Sequence, residues 1–413
     1  MAVPGSTLEP STNARGSACS ACSPLCPAAM PLELSGLAAY SRELYHCSDC
    51  NYCVDAVWAE RGLEHVCATI EHHSPAISYS GSGFMRAARA LLEGAELAPA
   101  SLAERVFSCT GCGNCEAVCP IGLHPAHVGQ ILREALAAAD ELPVPVREVR
   151  QRMREHGNAW SLSAERRTQW ARGLAFERLE DATLHYAPGC AAAFGRPAEA
   201  RAAVAVLRAA GERVHFDPSA DRCCGAPLRE AGLQADTAFA ERALGTRELP
   251  SRVVTSGQEC VAGWRAGVGD TRADTFSEWL LAALAGGSLR ATLRDPLPAP
   301  VQVFDSCSER RLSGAPDATR SVLQALGVEV ANQALGARHV VCCGAAGPLG
   351  ALHAESALRM GAARVGALEG NLLVAGDIRC LAHVTAAAGL GGEQTFGLAE
   401  FVTRFFTLAG AAS

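Results

Sequence analysis

The stretch SCTGCGNCEAVCP (108–120) packs four thiols into thirteen residues: Cys109, Cys112, Cys115 and Cys119. The spacing C-x2-C-x2-C-x3-C, followed by proline, suits a loop that wraps a [4Fe–4S] cubane, with thiolates at every third residue and glycines for the tight turns. A second group, CSDCNYC (47–53), supplies Cys47, Cys50 and Cys53. Val57 stands where its fourth thiol would fall; either the next cysteine along, Cys67 in HVCATIE, comes in across an insertion, which is the favoured reading, or this cluster has three thiols and another ligand. Where two such motifs share a fold, the fourth thiol of one serves the other cluster. By that rule one cubane takes Cys47, Cys50, Cys53 and Cys119, and the other takes Cys109, Cys112, Cys115 and Cys67. Zinc is the alternative for any C-x2-C pair, but three successive intervals and the Cys–Pro step fit the cluster pattern better. Two cubanes held close together make an electron wire.

Two further stretches, DRCCG (221–225) and VCCG (341–344), each place adjacent cysteines before a glycine. Adjacent cysteines form no unstrained disulfide with each other. Inert buried thiols do not explain why the arrangement occurs twice. Neighbouring thiolates can fan out to separate irons of one cluster, and the glycine lets the backbone come close. Each pair belongs to a set of four: Cys190, Cys223, Cys224 and Cys260, then Cys307, Cys342, Cys343 and Cys380. Matching members are 117 (Cys190 to Cys307), 119 (Cys223 to Cys342) and 120 (Cys260 to Cys380) residues apart, and SEWLLAAL (277–284) has a counterpart in AEFVTRFF (399–406). A near-constant offset of this kind is the signature of an internally duplicated unit. The cysteines follow short apolar runs of β character that alternate with helical stretches. This predicts an α/β unit with thiols at the carboxyl ends of its strands, where ligands gather.

The elements that must position these residues follow from the pattern. Residues 1–33 read as a disordered tail rich in Pro, Ser, Ala and Gly. Residues 34–150 read as a helical, ferredoxin-like domain with both cubane motifs, and MRAARALLEG (85–94) and GQILREALAAADE (129–141) show helical spacing. Linker helices are expected over 151–181, and the charged run REVRQRMREHG (147–157) reads as a solvated helix leading out of the first domain. The first α/β unit is expected over 182–285, a linker over 286–300 and the second unit over 301–413. The fold class is therefore multidomain, α followed by α/β.

Composition narrows the function. Nineteen cysteines in 413 residues are too many to be incidental, and the chain is too large and lacks a secretion signal for a secreted disulfide scaffold. No apolar run approaches the roughly 18 residues of a membrane helix, so the expectation is a cytoplasmic protein, docked on a membrane only through partners. A net charge of −7 argues against nucleic acid as the main partner. No G-x-G-x-x-G follows a strand, so no flavin or NAD site of its own is expected. Cys19, Cys22 and Cys26 make a weaker C-x2-C-x3-C set and read as loose thiols. His72, His73, His124 and His127 read as ordinary surface or packing residues, because cubanes prefer thiolates.

From about residue 45 onward the layout resembles the CCG-domain (cysteine-rich) iron–sulfur proteins. These include heterodisulfide reductase subunits and the iron–sulfur subunits of glycolate, lactate and anaerobic glycerol-3-phosphate dehydrogenases. VCCGAAGPLGALHAESAL (341–358), VAGDIRCLAHVT (374–385) and the Ser-Pro segment SPAISYSGSGFMRAARALLEG (74–94) look most like the glycolate oxidase iron–sulfur subunit. The resemblance implies two cubanes and one or two further clusters in the CCG region. It implies an electron-transfer subunit working with a flavoprotein dehydrogenase, a 2-hydroxy acid such as glycolate or lactate being favoured as substrate, and a quinone or other carrier. The alternatives it leaves open are a heterodisulfide reductase-like site and an electron-donating subunit of an acyl-CoA or benzoyl-CoA reductase-type complex. A non-redox, zinc-stabilised module is the alternative from another class. This chain departs from the five-cysteine pattern of heterodisulfide reductases: the closing C-x-x-C has become Cys260-x-x-Gly263 and Cys380-x-x-His383.

Overall fold

Two helices frame the N-terminal domain, Gly81–Leu92 and Pro125–Ala138. The Ser80 hydroxyl starts the first by accepting the Gly83 N–H at 3.4 Å, and Pro125 opens the second at a position where no backbone donor is needed. Phe84, Met85 and Ala88 are buried with Val128, Leu132 and Leu136, and with Val106 and Phe107 of helix Pro99–Phe107. Gly129 sets how closely the two helices pack, because a Cβ there would fall 2.7 Å from the Phe84 ring. This computed structural model describes residues 32–55, 62–245, 248–267, 272–312, 315–331, 336, 339–365 and 371–410. Cys19, Cys22, Cys26 and Val57 lie outside the described residues.

The charged run leading out of this domain is helix Val144–His156. It is not solvated all round. Val146 and Met153 are buried, and Arg150 and Arg154 reach Asp236 in the next unit at 3.0 and 2.7 Å. The intervening segment 157–183 holds helix Ala164–Thr168, which is started by Ser163.

Two parallel sheets follow. The first is made of β1 (Leu184–Ala187), β2 (Val214–His215), β3 (Arg252–Thr255) and β4 (Arg272–Thr275), in the order β2-β1-β3-β4. Residues 286–300, expected as a linker, contain β5 (Leu289–Leu293). The second sheet is made of β6 (Val301–Val303), β7 (Val330–Ala331), β8 (Leu372–Ala375) and β9 (Thr395–Gly397), in the corresponding order β7-β6-β8-β9. LHYA in β1 and LLVA in β8 are buried along their whole length, as strands covered on both faces must be.

The two units lock together. β5 pairs antiparallel with β10 (Phe406–Gly410), so the strand after each unit bonds to its counterpart. Helix Pro197–Ala209 packs on helix Leu398–Phe405, and helix Phe276–Ala285 on helix Ala318–Ala325. Glu199 caps the partner helix: its carboxylate accepts the N–H of Ala399 at 3.0 Å and of Glu400 at 2.8 Å. Trp279, Tyr186, Phe304, Phe401 and Phe406 fill the shared core. No helix among the described residues is long and apolar enough to cross a membrane.

Candidate iron–sulfur sites

The loop carrying Cys47, Cys50 and Cys53 turns through Asp49 and Asn51, both in the left-handed region at φ 55° and 57°. Their short polar side chains tolerate that conformation, and helix Gly81–Leu92 holds them in it. Asp49 takes Arg86 at 3.2 Å and Arg89 at 2.7 Å, and Asn51 accepts the Ser82 hydroxyl at 2.8 Å. Cys53 faces Cys47 and Cys119, and burial pushes its thiol up to about 11. Cys50 is exposed, and Tyr45, Tyr52 and Ile121 are exposed around this loop.

The 108–120 loop turns at Gly111 and Gly113, at φ 69° and 72°. Cys109, Cys112 and Cys115 converge there, and Cys67 joins them. Burial pushes the Cys67 thiol up to about 12. The Asn114 amide donates to the carbonyl of Val66 at 2.7 Å, which holds the Cys67 segment against the Cys115 segment. Gly81 leaves room for Cys115, since a Cβ there would lie 2.9 Å from the Cys115 Cβ.

In each α/β unit the thiols gather past the carboxyl ends of the strands. Cys190 follows β1 and Cys307 follows β6; Cys260 and Cys380 sit in the first turn of the helices after β3 and β8. A turn of wide π-helix follows both Cys190 (Ala191–Gly195) and Cys307 (Ser308–Leu312), a distortion often found at functional sites. In the first set, Cys223 lies within hydrogen-bonding reach of Cys190 and Cys224, and Cys224 of Cys260. The Cys190 thiol is held below its ordinary range, first by its bond with Cys223 and then by the Arg167 guanidinium. In the second set, Cys343 and Cys380 have sulfurs 3.3 Å apart, and Cys342 adjoins both Cys307 and Cys343.

Glycine makes room at both. A Cβ at Gly257 would lie 2.7 Å from the Cys260 sulfur, and one at Gly263 only 2.4 Å from the Cys224 carbonyl oxygen. Position 263, where the resemblance has a fifth cysteine, is therefore packed against the CCG loop itself. At the matching place in the second unit, His383 is engaged elsewhere, its Nε2 lying 2.9 Å from the Ala357 carbonyl.

The sets adjoin one another. Cys112 lies within hydrogen-bonding reach of Cys342, so the second ferredoxin-type set touches the second CCG set directly. Arg311 secures this junction by donating to the Cys112 carbonyl at 3.1 Å, to Asn114 Oδ1 at 2.7 Å and to the Val340 carbonyl. The two CCG sets meet through the residues just before their last cysteines: Arg379 Nε lies 3.9 Å from Glu259 Oε2, and Arg379 Nη1 donates to Glu230 at 2.7 Å. Burial pushes the Glu259 carboxyl up to about 8.

A cavity of about 210 Å³ opens over the first CCG set. Cys190, Cys223, Cys224 and Cys260 line it, with Trp160, Pro348, Glu230 and Arg379 among the facing walls. Among the described residues no three thiol, imidazole or carboxylate groups close on one point as they would around a single metal ion. Four cysteine thiols on the wall of a cavity are the donor chemistry that an iron–sulfur cluster takes.

The histidines stay out of these sets. His124 pairs with Glu43 at 3.1 Å, His127 packs on Tyr40, and His73 stacks on His353 and bonds Ser356 at 3.1 Å. His72 offers its backbone carbonyl to Arg359. Sequence reasoning missed the buried guanidiniums. Arg133 donates to the carbonyls of Val106, Cys109 and Glu230, and Arg167 donates to the Cys190 sulfur. Aligning QEC (258–260) with IRC (378–380) offers a signal for one pair, since Glu259 and Arg379 bring opposite charges to equivalent places. Nothing local marks Arg133 or Arg167.

Comparison with known families agrees with this layout. The 4Fe-4S dicluster domain matches residues 43–123, and the Cysteine-rich domain, CCG, matches twice, over 184–262 and 301–385. The chain is a CCG-domain iron–sulfur protein, and these domains indicate bound iron–sulfur clusters. Over 284 residues it is 25% identical to the EtfAB:quinone oxidoreductase of Syntrophomonas wolfei subsp. wolfei. That alignment covers 62% of this chain and 38% of the relative's length.

Proposed function

We propose that this chain is the electron-transfer iron–sulfur subunit of an oxidoreductase, working between a flavoprotein dehydrogenase and a quinone or other carrier. The observation that carries the reading is the contact of Cys112 with Cys342, which joins the ferredoxin-type thiols to the CCG thiols. Cys47, Cys50, Cys53 and Cys119 would hold one cubane, and Cys67, Cys109, Cys112 and Cys115 the other. The two CCG sets would hold one or two further clusters. Bound clusters supply one-electron transfer; the protein supplies their order, burial and surroundings.

That order runs inward. Exposed Cys50, with Tyr45, Tyr52 and Ile121 around it, suits the end that faces a redox partner. Cys112 and Cys342 form the next junction, and Glu259 with Arg379 the one after, ending at the cavity of the first CCG set. The matched strand orders and cysteine offsets support a duplicated unit, with domain limits near 34–150, 182–285 and 301–413. The relative's name supports a quinone as one electron carrier. A 2-hydroxy acid such as glycolate or lactate remains the favoured substrate of the partner, on the resemblance alone.

The cavity favours a second reading, in which the first CCG set reduces a disulfide or other bound substrate as in heterodisulfide reductases. Anaerobic affinity purification from the native host separates the two. A flavoprotein dehydrogenase should co-purify with an iron- and sulfide-rich chain. A chain that comes out alone and iron-rich shifts the assignment to the reductase, and one that carries zinc without labile sulfide contradicts both.

A further inference from the structure

Arg167 lies between the matched domains, outside 43–123 and outside 184–262. Its side chain is 4% exposed, as is that of Asp221. Nε donates to Asp221 Oδ2 at 2.8 Å, and Nη2 donates to the Arg222 carbonyl at 2.9 Å and lies 3.4 Å from Asp221 Oδ1. This leaves Nη1 aimed at the Cys190 sulfur, 3.0 Å away. The Phe194 ring packs against the guanidinium, with 5.6 Å from Cζ to the ring centroid. Asp221 therefore orients the cation by one edge, while the opposite nitrogen meets the thiolate.

The second unit is built differently. Val340 and Val341 occupy the places of Asp221 and Arg222 before the cysteine pair. The guanidinium buried beside that set, Arg364, gives its Nη2 to the Asp305 carbonyl at 3.2 Å. Buried guanidiniums thus stand beside both sets, Arg364 near Cys307, Cys343 and Cys380, and what marks Arg167 is its aimed N–H to the Cys190 sulfur.

We infer that Arg167 is a positioning residue that raises the reduction potential of the first CCG site. The inference rests on the reading above that Cys190, Cys223, Cys224 and Cys260 hold a cluster. A cluster held there would gain one electron on reduction, with no bond made or broken, from a reduced [4Fe–4S] cubane that the ferredoxin-type thiols would hold. The added negative charge is spread over the sulfurs. A charge-assisted N–H···S bond inside the protein stabilises the reduced form more than the oxidised one. Asp221 offsets part of the cation's charge, but it lies on the far edge of the guanidinium, so the field at the sulfur stays positive.

The test is an EPR-monitored redox titration of the anaerobically purified full chain. Cys190→Ser identifies the signal of this site by altering it alone. Arg167→Met should lower the reduced-to-oxidised ratio of that signal at fixed potential about tenfold, equivalent to about 59 mV for one electron, and leave the other signals where they were. Arg167→Lys, which keeps the cation, should recover most of the shift. Arg167→Met combined with Asp221→Asn removes the buried pair together and should show the same fall, which guards against a single variant that fails to fold. Iron retained with an unmoved midpoint in both Arg167→Met backgrounds overturns this inference alone. Wild-type protein without iron overturns the proposed function and this inference with it.

Discussion

Gly263 offers the sharpest test of how the first CCG site is built. Helix Gln258–Gly267 crosses the CCG loop so closely that a Cβ at 263 would sit 2.4 Å from the Cys224 carbonyl oxygen and 3.1 Å from the Cys224 Cβ. Both obstacles belong to the loop and cannot swing aside as the end of a long side chain would. Either the helix bearing Cys260 or the loop bearing Cys223 and Cys224 must move. Overpacking of this kind costs about 1–3 kcal/mol. For a cooperative unit of roughly 200 residues that is a fall in thermal midpoint of about 2–12 °C. Gly263→Ala should show that fall, with loss of iron from this site. Gly263→Cys restores the five-cysteine spacing, yet it should lose iron rather than gain it, because the new thiol carries the same colliding Cβ. Iron per chain and the thermal midpoint, both measured anaerobically, decide the matter. A Gly263→Cys protein that binds more iron at an unchanged midpoint would refute the reasoning.

Other expectations follow from single contacts. Cys112→Ser should remove or convert one cubane and also disturb the second CCG signal, since Cys112 faces Cys342; unchanged iron and an unchanged EPR spectrum would rule out the assignment. Arg133→Met leaves the buried Val106 carbonyl and the half-buried carbonyls of Cys109 and Glu230 without their donor and should cost about 1–3 kcal/mol, seen as a lower thermal midpoint and faster proteolysis between the first two domains. Burial pushes the Glu199 carboxyl up to about 8, so the folded chain binds this proton more tightly than the unfolded chain. Its contribution to stability is complete below the ordinary carboxyl range and declines as pH rises to about 8, by at most about 5 kcal/mol. Thermal midpoints from pH 5.5 to 8.5 should therefore slope less in Glu199→Gln than in the wild type, and equal slopes would contradict this.

The strand-to-thiol logic was legible because the cysteines mark it. Once Cys190, Cys260, Cys307 and Cys380 were seen to follow apolar runs, α/β units with thiols beyond the strand ends were the natural expectation. The grouping of Cys67 with Cys109, Cys112 and Cys115 came from a general rule about paired motifs, and the structure places these four together. What stayed hidden depends on tertiary approach. β5 looked like linker because its partner, β10, lies more than 100 residues away and the run is short and half exposed. The Cys112–Cys342 junction and the seat of Arg167 arise only when three domains meet. Gly263 could be seen to replace a cysteine, but the reason is the nearness of the Cys224 backbone, which no local pattern encodes.

The most direct measurement is quantification of iron and labile sulfide in the anaerobically purified chain, with an EPR-monitored redox titration of the same sample. The account predicts two cubane signals and at least one further signal from the CCG region. It also predicts that one cubane relaxes faster when its neighbour is paramagnetic, as the Cys112–Cys342 contact requires. Zinc in place of iron, or clusters that show no magnetic interaction in any redox state, would contradict the central claim.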